Sequence, residues 1–141
     1  MASVAQSGPS LKAATISSPP NGLDTSLQNT TMISAAFIWE PGTYNTEFLT
    51  LNALIEEAAK SIPGFLGVES WTSEDGKRNN ATYYWSSIDS LKLLSVHPKH
   101  IEAKRRYAEW YNGYHVVISE VIRSYGDGAF SHITPPATSA A

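Results

Sequence analysis

Apolar and polar positions along this chain fall into an order of short runs and longer stripes. The run MISAAFIW (32–39) is apolar and rich in β-formers, and predicts a buried strand. EPGT then turns the chain. Thr43 or Asn45 is placed to cap a helix in which Phe48, Leu51, Leu54, Ile55, Ala58, Ala59 and Ile62 recur at helical spacing. Glu47, Asn52, Glu56 and Lys60 take its other side, and Pro63-Gly64 ends it. FLGVESWTS (65–73) and ATYYWSS (81–87) flank the polar turn EDGKRNN and predict a hairpin. Ser86 or Ser87 caps the next helix, whose apolar face is Ile88, Leu91 and Leu94. Pro98 interrupts that helix, because its ring removes a backbone donor and clashes one turn back. It also suits the first turn of a second helical piece, 99–111. Asn112-Gly113 stops this piece, and YHVVISEVIRSY (114–125) is the last strand.

The order β-α-β-β-α-β predicts an α+β protein of ferredoxin-like type: a four-stranded antiparallel sheet with two helices on one face. The other face then lacks helices. Val117 and Val121 alternate with Val116, Ile118 and Ile122, so both faces of the last strand are apolar. An uncovered apolar sheet face is an association surface, and pairing two of them about a two-fold axis predicts a homodimer.

Composition narrows the function classes. The 141 residues, 42% of them hydrophobic, suit one compact domain, expected at 31–130. Residues 1–30 and 131–141 are rich in Ser, Ala, Pro and Thr without periodicity, and are expected to be a disordered N-terminal tail and a flexible C-terminal tail. Without cysteine there is no thiolate chemistry. A net charge of -3 argues against a nucleic-acid partner; no apolar run is long enough to cross a membrane, and no signal segment is evident, so a cytoplasmic location is expected.

SVHPKHIEAKRRYAEWYNGYH carries the candidate chemistry. Positions 97, 100, 104, 107 and 111 fall on one helical stripe, which groups His97, His100, Tyr107 and Tyr111. Turned toward the sheet, that stripe closes a cavity whose floor is strand residues. Ala81, Tyr83 and Trp85 share one strand face, as do Phe65, Gly67, Glu69 and Trp71. Three readings compete. His97 and His100 with His115 or Glu102 is a thin metal set, since HPKH lacks the Glu placement of a zinc hydrolase helix; an axial haem ligand is equally thin. In the structural reading His97 caps the second helical piece, His100 bonds a carbonyl, the basic run is a solvated face, and the aromatics are core. In the functional reading a ring-lined cavity with titratable groups binds a ligand.

IPGFLGVES, YYWSS, VHPKH and AEWYNGYHV, in this order, resemble the antibiotic biosynthesis monooxygenase family over about 32–126. The resemblance implies a dimeric α+β barrel and a cofactor-independent monooxygenase with O₂ as co-substrate, acting on an aromatic, quinol or enolic small molecule of secondary metabolism. A cofactor-free cyclase, isomerase or dehydratase on a polyketide-type intermediate is the alternative, and a non-catalytic binding or stress-response module the third. Cofactor-free oxygenation requires a base that makes the substrate an electron-rich anion able to reduce O₂. His97 or His100 would be that base, its ordinary pKa lying near working pH. Trp85, Tyr83, Trp71, Tyr107 and Tyr111 would bind the substrate through rings and polar tips.

Overall fold

A computed structural model describes residues 31–134; the expected N-terminal tail and residues 135–141 lie outside them. The elements are β1 (Met32–Pro41), α1 (Thr46–Ser61), β2 (Phe65–Thr72), β3 (Asn79–Trp85), α2 (Ile88–Ser95), α3 (Pro98–Arg106), a 3₁₀ turn (Tyr107–Glu109) and β4 (Tyr111–Val121). The sheet order is β2-β3-β1-β4. Every neighbouring pair is antiparallel, which is the ferredoxin-like arrangement expected.

β1 is the central register. Ile33, Ala35, Phe37 and Trp39 are buried on the helix side, while Met32, Ser34, Ala36 and Ile38 face the other way. Asn45 caps α1 by accepting the Phe48 backbone N–H at 2.8 Å. The buried stripe of α1 is Phe48, Leu51, Asn52, Ile55 and Ala59. Leu54, assigned above to the apolar face, is exposed, and Asn52, assigned to the polar side, is buried. Only a narrow strip of a helix touches a sheet, and position 52 lies next to 59 at the border of the arc set by 48, 55 and 59, whereas 54 lies far outside it. Gly64 closes the turn into β2 at φ +100°, where a Cβ would stand 2.1 Å from the Ser90 Oγ. Ser90 in turn donates to the Pro63 carbonyl at 2.7 Å, tying that turn to α2.

Several details depart from the sequence pattern: β1 runs on to Pro41, and β3 takes in Asn79 and Asn80 but stops at Trp85. The helical piece expected over 99–111 ends at Arg106, tightens into the 3₁₀ turn, and delivers Tyr111 to the sheet opposite Pro41. Asn112-Gly113, read as a stop, therefore lies inside β4, which starts three residues early and ends at Val121. A bulge between Phe65 and Gly67 shifts the alternation of β2 by one residue. Phe65 opposes Trp85 on the helix side, whereas Glu69 and Trp71 oppose Thr82 and Asn80 on the open face. The four β2 residues assigned to one face are thus split between two.

No helix among the described residues covers the open face, but the chain beyond β4 reaches it. His132 bonds Glu69 at 2.6 Å and Thr134 is 5% exposed, so residues 131–134, part of the expected flexible tail, pack against the sheet. Among the described residues no helix is long and apolar enough to cross a membrane.

Candidate functional site

The break between α2 and α3 positions the two histidines differently. Pro98 opens α3 at its first position, and His97 is the N-cap. Its Nδ1 accepts the Lys99 backbone N–H at 3.1 Å, so this ring is committed to the helix end. Replacing His97 with alanine should cost about 1 kcal/mol, the worth of an N-cap, and asparagine should restore it. Urea unfolding checks this; an unchanged midpoint for alanine would show that the cap carries no stability.

His100, one turn on, is 2% exposed. Neither ring nitrogen makes a hydrogen bond of good geometry. Burial pushes its pKa down to about 3; the Lys104 and His97 charges push the same way, and the nearby Ser95 backbone only partly opposes them. At neutral pH the ring is uncharged with both nitrogens in the interior. The only other buried residue of α3 is Ala103, so α3 turns a narrow face inward and its charged remainder outward.

The aromatic residues form two groups, because β1 runs from Ile33, opposite Trp85, to Pro41, opposite Tyr111. At one end Tyr83 and Trp85 stack with centroids 6.3 Å apart, and Phe65 meets both rings. At the other, Tyr111 contacts Phe37, Trp39, Tyr44 and Phe48. Among the described residues, two polar side-chain atoms besides those of His100 are buried without a hydrogen-bond partner: the Trp85 Nε1 and the Tyr111 hydroxyl. Equivalent groups nearby are satisfied, Trp39 by the Tyr44 hydroxyl at 2.8 Å and Trp110 by Asn45 at 3.2 Å. Burial, with Tyr44 and Tyr83 adding to it, raises the Tyr111 pKa, so the phenol keeps its proton.

The hollow expected between helices and sheet is nearly closed. A cavity of about 10 Å³ remains, lined by Phe48, Leu51, Asn52, Ile55, Ala103, Trp110 and Tyr111. That is room for about one water. Of the seven candidate residues, His100, Tyr83, Trp85 and Tyr111 are buried in this layer. Tyr107 sits at its rim, 38% exposed, edge-on to Tyr114. Trp71 is on the opposite face of the sheet and 65% exposed, a consequence of the β2 bulge. The common stripe of His97, His100, Tyr107 and Tyr111 does not form, because the helix ends before two of its members. His115, opposite Ile38, also faces away from His100, and among the described residues no three or more His, Asp or Glu side chains gather as a metal site.

A second polar group lay beyond sequence reasoning. On the open face the Glu69 carboxylate accepts the Tyr84 hydroxyl at 2.9 Å, the Trp71 indole N–H at 3.2 Å and His132 at 2.6 Å. The His132 Nδ1 accepts the Thr134 backbone N–H at 3.1 Å, which leaves the Nε2 proton to donate to Glu69. Burial first, then the bond and charge of Glu69, holds the Tyr84 pKa well above the usual phenol value. Sixty-three positions separate His132 from Glu69, and no local pattern links them.

No family model matches the chain. It is 40% identical over 66 residues to the uncharacterized protein YqjZ of Bacillus subtilis (strain 168), a stretch covering 46% of this chain and 57% of that one. The chain thus spans little more than half the length of this curated relative. Among solved structures it is similar to SnoaB, a cofactor-independent oxygenase from Streptomyces nogalater, with TM-score 0.55, 11% identity, and 66% of this chain and 95% of that one covered. A conserved protein from Methanosarcina mazei Go1 gives TM-score 0.56 at 13% identity, covering 67% and 96%. Protein SO0527 from Shewanella oneidensis gives 0.55 at 14% identity, covering 66% and 93%. Likenesses at these identities establish a shared fold.

Proposed function

We propose that the chain is a cofactor-independent monooxygenase of the antibiotic biosynthesis monooxygenase type, with His100 as the general base. The observation that carries this reading is the buried, uncharged imidazole whose two nitrogens make no hydrogen bond of good geometry, the Ser95 backbone lying near but not well aligned. Core polar groups are nearly always paired, so an orphaned one asks for a partner that arrives later. An aromatic or enolic substrate with an acidic O–H is a suitable partner. Its proton passes to His100, and the resulting imidazolium lies beside the substrate anion, which offsets the burial that otherwise disfavours the charge. The anion then reduces O₂ by one electron, and the two radicals recombine to a peroxide that takes the proton back from His100. Loss of water breaks the O–O bond and leaves one oxygen atom on the substrate. The Tyr111 hydroxyl and Trp85 N–H, each unpaired, are donors for substrate oxygens near the two ends of the layer.

A 10 Å³ cavity does not admit such a substrate, so turnover requires the layer to open. The α2–α3 break at Val96-His97 is where the helical layer is already interrupted. The protein works as a homodimer through the open sheet face, where Val117 is 43% exposed. SnoaB, similar in fold, is described as a cofactor-independent oxygenase, which supports the absence of a cofactor here.

The filled layer favours a second reading, a non-catalytic dimeric binding module. Oxygen uptake separates the two. Metal- and flavin-free protein with candidate quinols should consume O₂, with product one oxygen heavier; His97→Ala should retain this and His100→Ala should lose it. No uptake on any quinol, with both variants like wild type, leaves the module. A product of unchanged mass indicates cyclisation or isomerisation.

A further inference from the structure

The polarity of the segment after β4 is inverted. Residues 122–134 lie against the protein through polar side chains: His132 on Glu69 and Tyr84, and Thr134 with its hydroxyl 2.6 Å from the Ser124 Oγ. Three of the four large apolar side chains of the same segment are turned to water, Ile133 alone being half-buried. Ile122 is 90% exposed, Phe130 78% and Tyr125 62%. A strap that served only to shield its own sheet would do the reverse, since burying an apolar side chain is favourable and exposing one forgoes that gain. The anchor is nonetheless well built. Glu69 is held by two further donors, Tyr84 and Trp71, and its side chain is 15% exposed. The strap is therefore fixed at its polar end and presents its apolar side chains outward.

We infer that residues 122–134 are a docking strap, anchored within its own chain by His132 at Glu69, that presents Ile122, Tyr125 and Phe130 to a second copy of this chain. The inference rests on the homodimer reading above. It adds that the interface is extended by the strap and depends on an anchor far from β4. A second copy suits this surface better than an unrelated partner. The strap crosses the open face through its anchor at Glu69, the same face on which Val117, opposite Ala36, is exposed, and a two-fold interface needs the same apolar patch on both copies. Charge is sparse there, only Arg123 and Asp127 falling among residues 122–130.

Sedimentation of the full chain over a concentration series tests the inference. Ile122→Ser with Phe130→Ser, at positions too exposed to affect folding, should raise the dimer dissociation constant about tenfold or more with an unchanged circular dichroism spectrum. His132→Ala and Glu69→Gln should each speed tryptic cleavage after Arg123 by about tenfold, as an unanchored segment opens freely, and should weaken the dimer as well. A double-serine variant that dimerises like wild type overturns the strap and leaves the dimer standing. Wild type that stays monomeric at micromolar concentration overturns both. Cleavage unchanged in both anchor variants overturns the anchoring within one chain.

Discussion

Replacing His100 with leucine is expected to make the protein more stable by about 1–3 kcal/mol while abolishing oxygen uptake. The stability gain follows from the removal of two buried nitrogens that make no hydrogen bond of good geometry, in exchange for a side chain of similar volume. The activity loss follows from removing the base, a contribution of about 10²–10⁴ in rate for a positioned proton acceptor. The two effects have opposite signs, and that makes the substitution informative. A histidine kept for packing would give a destabilised variant; one kept for chemistry at the expense of stability gives a stabilised, inactive one. Urea unfolding and oxygen consumption on the same preparation decide. A variant destabilised by more than about 1 kcal/mol would place His100 among the structural residues. One that still consumes O₂ at the wild-type rate would remove it as the base.

The second expected result is a loss of stability in acid that this one residue causes. The folded protein holds His100 deprotonated down to about 3, whereas the unfolded chain protonates it near the ordinary 6.5. Between these values the unfolded state binds one more proton than the folded state, so stability falls as pH falls. The slope is about 1.4 kcal/mol per pH unit, and by pH 4.5 about 2–3 kcal/mol is gone. Above pH 6.5 His100 contributes no slope, and below about 3 the slope ends because both states are protonated. Glu56, whose pKa burial raises, acts in the opposite sense, so the measurement is a difference. Wild type and His100→Leu are unfolded in urea at pH 7 and pH 4.5, and the leucine variant should gain further on wild type at the lower pH. An identical pH response of the two proteins would show that the ring finds a partner or water when it is protonated.

The two histidines also mark how far local pattern reaches. HPKH announced a helix start through Pro98, and His97 behaves as that local reading requires, as a cap. Whether His100 points inward was not legible there, because it depends on which side of α3 meets the sheet. Trp71 is the plainest case. Period-two alternation from Phe65 carried it into the pocket, and one extra residue between Phe65 and Gly67 puts it on the other side of the sheet. Tyr111 was assigned by counting helical turns beyond the point where the helix ends. It is buried all the same, as a strand residue, and it is the tertiary contacts with Phe37, Trp39 and Phe48 that bury it.

Chain order and local chemistry alone determined the βαββαβ succession, a helix start at Thr43 or Asn45, the Pro63-Gly64 turn and the break at Pro98, since each is set by residues within a few positions of one another. Tertiary structure decided which polar groups meet and which are left without a partner. His132 finds Glu69 and Tyr84 across more than forty intervening residues, and His100 finds no hydrogen bond of good geometry. Both outcomes depend on the sheet bringing distant strands into register and on how completely the helices close over it, and neither quantity is encoded in any short window of the chain.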